Sequence, residues 1–203
     1  MHGLTMSLLA HRIRHRGFRT ITYSYPSVRL GLDDNARRLR DFLVAQGEPG
    51  FHLVGHSLGG VIILRMLATL PHPPVHRVVL LGSPLQGSAL ARQLCQRPLM
   101  AHIIGRSMGA WLGPAPCAAP SGCEVAVIAG TRCLAAARIF GGVARPNDGV
   151  VALSETRLDG ETDRCVLHVG HSEMLLSRRV AGAAADFLAR GRFAAPESGS
   201  GRQ

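Results

Sequence analysis

One stretch limits what this chain can fold into more than any other. Phe51 to Gly55 (FHLVG) is short and β-prone, and it runs through Gly55-His56-Ser57-Leu58-Gly59-Gly60 into Leu58 to Leu70, which is helical in pattern and apolar nearly all round. A helix apolar on every side must be covered on every side, so this strand–turn–helix unit belongs at the centre of a layered fold. In such a G-x-S-x-G turn the serine backbone is strained, and side chains at the flanking Gly55 and Gly59 are expected to collide with the adjoining strand and helix. The turn lifts Ser57 Oγ clear of the sheet. The helix start behind it brings a partial positive charge and the Leu58 N–H to the same place. The alternative is a glycine-rich packing turn without chemistry.

The rest of the chain alternates in the same way. Leu4 to Arg16 reads as a helix with Leu8, Leu9 and Ile13 on one face, ended by Gly17, and Arg19 to Tyr25 (RTITYSY) as a strand stopped by Pro26. Asp33 or Asp34 caps a helix to about Gln46 with Leu39, Phe42 and Leu43 inward, and Ser177 caps a last one to about Arg190 with Val180, Ala184, Phe187 and Leu188 inward. Val75 to Leu81, Glu124 to Ala129 and Cys165 to Val169 are further strands. The first two are continuously apolar, as in a parallel sheet covered on both faces. The pattern predicts an α/β fold, a doubly wound and mostly parallel sheet, in one domain over residues 1–193, with a disordered tail over 194–203. Residues 84–120 break the rhythm and read either as a lid over a site or as a crossover insertion.

Composition excludes several classes. With 46% hydrophobic and 18% charged residues the chain is too apolar for disorder, and 4% aromatics leaves little for stacking single-stranded nucleic acid. The net charge of +10 comes entirely from Arg, with no Lys, and the arginines are scattered singly or in pairs. That is compositional bias rather than a basic patch, and no nucleic-acid partner is expected. Five cysteines show no zinc spacing, and only Cys117 and Cys123 are close enough in sequence to invite a bridge. No run reaches the roughly 18 apolar residues of a membrane span and no signal peptide is visible, so a cytoplasmic chain is expected.

A serine needs a base, and the base an orienting acid. His171, in His168-Val169-Gly170-His171-Ser172, follows the last predicted strand and precedes the last helix, which carries its ring over the sheet edge where Ser57 sits. His168, inside the strand, is expected to pack against a helix. Pro146-Asn147-Asp148-Gly149 is a turn that would fix a short carboxylate, so Asp148 is the candidate acid, with Asp159 and Asp163 as fallbacks. His2-Gly3-Leu4 is the candidate second oxyanion donor, through the Leu4 N–H, beside that of Leu58.

Four motifs in this order, His2-Gly3, Gly55 to Gly60, Asn147 to Gly149 and Gly170 to Ser172, together with Ser83-Pro84-Leu85-Gln86-Gly87-Ser88, resemble the lipase- and esterase-type α/β-hydrolases from Met1 to about Arg190. The resemblance implies hydrolysis of small-molecule or lipid esters through an acyl-enzyme by Ser57, His171 and Asp148. It implies no metal or organic cofactor, and peripheral contact with a lipid surface. The same triad would serve a thioesterase or acyltransferase, and a degenerate, non-catalytic binding protein would keep the same fold. In the family a central strand leads into His-Gly, and here that strand and the edge strands before it have no residues. The expectation is a product that begins upstream of Met1, the alternative a sheet that closes the gap in its own way.

Overall fold

The computed structural model describes residues 6–69, 74–95, 118–133 and 143–194. Four strands form one parallel sheet whose order follows the sequence: β1 (Phe51–His56), β2 (Val75–Leu81), β3 (Glu124–Gly130) and β4 (Asp163–Leu167). Among the described residues the α-helices are α1 (Ser7–Arg14), α2 (Leu32–Ala45), α3 (Leu58–Leu67), α4 (Ala89–Cys95) and α5 (Arg178–Arg190). The doubly wound α/β arrangement is therefore present. α2 and α3 cover one face of the sheet, with Leu39, Ile62 and Met66 packed on Val78 and Val127. α1 and α5 cover the other, with Leu9, Ile13 and Phe187 packed on Val79, Leu81 and Ile128. With both faces covered, β2 and β3 are apolar throughout rather than alternating, and Val78 to Leu81 and Val125 to Ala129 are all fully buried.

Helix stripes follow the periodicity closely. Ser177 caps α5 by accepting from the Val180 N–H, and Val180, Ala184, Phe187 and Leu188 are its buried side. α2 instead starts one turn-position earlier than the aspartates, at Leu32 with Gly31 as cap. On α1 the expected trio divides: Leu9 and Ile13 are buried, whereas Leu8 faces outward at 39% exposure. The last strand sits two residues before its expected place. Among the described residues no helix is long and apolar enough to cross a membrane. Cys123 and Cys165 are free thiols, so Cys123 is not bridged to Cys117, which itself lies outside the described residues.

Arg19 to Tyr25 is not a ladder strand. Residues 18–26 run without regular structure, and between them and β1 lies a cavity of about 390 Å³. On one side it is lined by Phe51 to His56, on the other by Phe18 to Tyr23 and Tyr25, and its two faces by Leu9 and Ile13 of α1 and by Leu39 and Ile63 of α2 and α3. A strand on one flank and apolar helices on both faces make these surroundings largely apolar. The segment has β-prone residues but is not part of the sheet formed by the described strands, and propensity alone does not make a strand.

Among the described residues β1 is paired on one edge, with β2. The N–H groups of Phe51 and Ser57 donate to Pro74 and Leu81 at 2.7 and 2.9 Å. By the alternation of a pleated strand, odd residues of β1 therefore turn their backbone groups toward β2, and His52 and Val54 turn theirs toward the cavity. Most of the 84–120 segment lies outside the described residues; its first part carries α4.

Candidate active site

The site is built where β1, β2, β3 and β4 end. Ser57 follows β1 with φ 54° and ψ −127°, and it is the one non-glycine residue with positive φ among those described. Such a backbone costs about 1–3 kcal/mol and persists only where its surroundings enforce it. Here the Ser57 N–H is held by the Leu81 carbonyl at 2.9 Å, and its carbonyl accepts from the Gly60 N–H at 3.1 Å. The crowding that requires glycine differs from the sequence expectation. A Cβ on Gly55 would lie 2.7 Å from the Gly60 backbone, and one on Gly60 would collide with Ser83 Oγ. One on Gly59 would meet only Tyr25 Oη at 3.5 Å, an ordinary contact, because Gly59 faces away from the strand. The close approach of α3 to the sheet thus falls on Gly55 and Gly60.

The Asn147-Asp148-Gly149 turn is internally braced. Asn147 Nδ2 donates to the carbonyls of Val143 and Ala144 at 3.3 and 3.1 Å, and its Oδ1 accepts from the Gly149 N–H at 3.0 Å. Asp148 is 2% exposed, and its Oδ1 accepts from the N–H groups of Val150 and Val151 at 2.9 and 2.8 Å. Its Oδ2 lies 2.7 Å from His171 Nδ1. The carboxylate is an acceptor, so His171 Nδ1 carries the proton and Nε2 keeps its lone pair, the state a general base needs.

His171 is reached four residues after β4 and opens a short 3₁₀ turn, Ser172–Leu175. Its N–H donates to the Asp148 carbonyl at 2.9 Å. The preceding Gly170 N–H donates to Glu173 Oε2 at 2.8 Å, and Glu173 pairs with Arg132 at 3.1 Å. The His171–Asp148 pair lies against Gly82, the residue after β2, and the His171 ring packs on His56 with centroids 4.6 Å apart. His56 immediately precedes Ser57, so the structure brings Ser57, Asp148 and His171 to one end of the sheet. The Ser57 hydroxyl makes no hydrogen bond to another described residue. His56 is itself buried, and burial followed by the nearby His171 pulls its imidazole down to a pKa of about 4.

The fallback carboxylates lie elsewhere. Asp159 is exposed, and Asp163, at the start of β4, accepts from the N–H groups of Arg164 and Phe193 at 2.7 Å each. His168 does not pack against a helix: it lies one residue past β4, exposed, with Nδ1 3.4 Å from Thr131 Oγ1. His2, Gly3 and Leu4 lie outside the described residues, while Leu58 opens α3. Among the described residues no cluster of three or more His, Cys, Asp or Glu could hold a metal.

Sequence reasoning missed two glutamates. Buried Glu155 accepts from the N–H groups of Ala152 and Ala89 at 2.8 and 2.6 Å, tying the Asp148 loop to the start of α4. Of its two partners Ala152 is three residues away, and the bond to Ala89, 66 positions off, is the one that no local pattern marks. Glu173 had a readable signal, an acid in the first turn after His171.

A family model described as "Alpha/beta hydrolase family" matches residues 1–100. No curated protein sequence matches. Among solved structures, the mature lipase BlEst2 of Bacillus licheniformis superposes with TM-score 0.62 at 20% identity, over 89% of this chain and 82% of that one. A pyrethroid hydrolase, PytH, gives 0.60 at 17% over 93% of each chain. The phospholipase PlaB of Legionella pneumophila gives 0.57 at 19%, over 77% of this chain and 43% of that one. The fold is that of the α/β-hydrolases.

Proposed function

We propose that this protein hydrolyses carboxylic esters through a covalent acyl-serine. Ser57 Oγ attacks the acyl carbonyl as its proton passes to His171 Nε2. The tetrahedral oxyanion is held by the Leu58 N–H at the start of α3 and by the Leu4 N–H, and Asp148 stabilises the imidazolium. Collapse expels the alcohol, which takes the proton from His171. Water, deprotonated by the same nitrogen, then attacks the acyl-enzyme to release the acid and restore Ser57.

The observation that carries this reading is the Asp148–His171 pair at 2.7 Å, nearly buried and set beside a serine with φ 54° at a strand–helix elbow. A buried carboxylate fixing one imidazole nitrogen leaves the other free for a proton on this side of the sheet. The substrate class is an ester of a small molecule or lipid, in keeping with the lipase, esterase and phospholipase neighbours. Turnover of a short-chain aryl ester by wild type and Ser57→Ala tests it. Activity in wild type that disappears in a folded Ser57→Ala protein supports the reading, and undiminished activity in Ser57→Ala overturns it.

A further inference from the structure

We infer that His56 is a positioning residue that fixes His171 through its main chain; the inference rests on the triad reading above. His56 Nε2 lies 3.0 Å from the His171 carbonyl oxygen, across 115 positions of sequence. A carbonyl only accepts, so Nε2 carries the proton and donates. His56 Nδ1 is then a bare acceptor, and it is buried without a partner. Leaving such a group unsatisfied is unfavourable, so ordinary packing does not account for a histidine here.

Three attachments now converge on one residue. The His171 N–H donates to the Asp148 carbonyl, its Nδ1 to the Asp148 carboxylate, and its carbonyl accepts from His56. The first two tie His171 to the acid loop. The third alone ties it to the nucleophile's strand, one residue from Ser57, and so sets the separation between base and serine. The faces of the two rings, 4.6 Å apart at 46°, limit rotation of the His171 side chain as well.

The donor's chemistry also suits the place. A Lys or Arg could bond the same carbonyl but would put a permanent cation beside an imidazole that must itself become cationic. The groups facing His56 are His171 and Asp148, and burial keeps the His56 ring neutral. A neutral N–H donor of this length is what imidazole supplies.

His56→Phe keeps a flat ring and removes the donor; His56→Gln restores an N–H donor of similar reach. On a short-chain aryl ester, His56→Phe is expected to lower kcat about tenfold, the worth of one hydrogen bond, with KM within about twofold, and His56→Gln to recover most of it. A readout independent of turnover uses the Ser57→Ala background: the downfield proton resonance of His171 Nδ1–H should be sharp with His56 present, broadened in His56→Phe and sharp again in His56→Gln. An unchanged kcat in His56→Phe, a loss that His56→Gln does not restore, or an unaltered resonance would each overturn the assignment. Full activity of Ser57→Ala would instead overturn the triad reading and leave the resonance test of His56 standing.

Discussion

Asp148 holds His171 twice, its carboxylate 2.7 Å from the ring Nδ1 and its carbonyl 2.9 Å from the main-chain N–H. Ring and main chain of His171 are therefore both tied to Asp148 even though 23 positions separate them. Loss of the carboxylate charge breaks only the first tie. Asp148→Asn is expected to fold, because an amide oxygen still accepts from Val150 and Val151, and to lose about 10³–10⁴ in kcat as the imidazole takes the wrong tautomer. Asp163→Asn, whose carboxylate bonds Arg164 and Phe193 instead, should retain wild-type turnover. Steady-state kinetics on both proteins decide between them.

The two glycines of the elbow region that adjoin each other are unequal. Gly60→Ala forces a methyl onto Ser83 Oγ in a fully buried contact and should cost about 1–3 kcal/mol. Gly59→Ala meets only an ordinary contact, and should stabilise α3 by up to about 1 kcal/mol through helix propensity. Urea midpoints of the two variants give the comparison, and equal losses would contradict the packing described.

The edge of β1 that no described strand pairs makes a prediction for hydrogen exchange. Leu53 and Gly55 turn their N–H groups to β2, and should be protected with the core. His52 and Val54 turn theirs to the cavity, and should exchange orders of magnitude faster although they lie in the same strand. Uniform protection along β1 would mean that another segment pairs there.

His56 makes stability depend on pH. Its imidazole titrates near 4 in the folded protein against an ordinary 6.5, so between these values the unfolded chain binds the extra proton. Stability is complete above about 6.5, falls as pH drops toward 4, and levels off below it. The linkage amounts to about 3 kcal/mol. His56→Phe should flatten this part of the profile, leaving the smaller slope of His52, which burial shifts in the same direction. Urea titrations at pH 4.5 and 7 on both proteins measure it.

How much of this was legible in the sequence follows from what each feature depends on. Ser57, Asp148 and His171 could be singled out as candidates because each sits in a local turn signature. β2 and β3 could be read because burial on both faces leaves an uninterrupted apolar run. Arg19 to Tyr25 failed because a strand needs a neighbour, and the sheet formed by the described strands does not include it. The helix start at Leu32 was missed because glycine at position 31 caps without a side chain. The need for glycine at position 60 rather than 59 is a matter of which helix face meets Ser83. The bonds from Glu155 to the Ala89 N–H and from His56 to the His171 carbonyl join positions far apart in sequence, where no spacing rule reaches.

The central claim is that Ser57 is a nucleophile served by His171 and Asp148. Treatment with an aryl phosphonate, followed by intact and peptide mass spectrometry, tests it without assuming a substrate. The expected result is one adduct per chain, on Ser57, formed orders of magnitude more slowly in His171→Ala and absent in Ser57→Ala. An adduct on another residue, or labelling of Ser57 at the same rate in folded His171→Ala, would contradict the account.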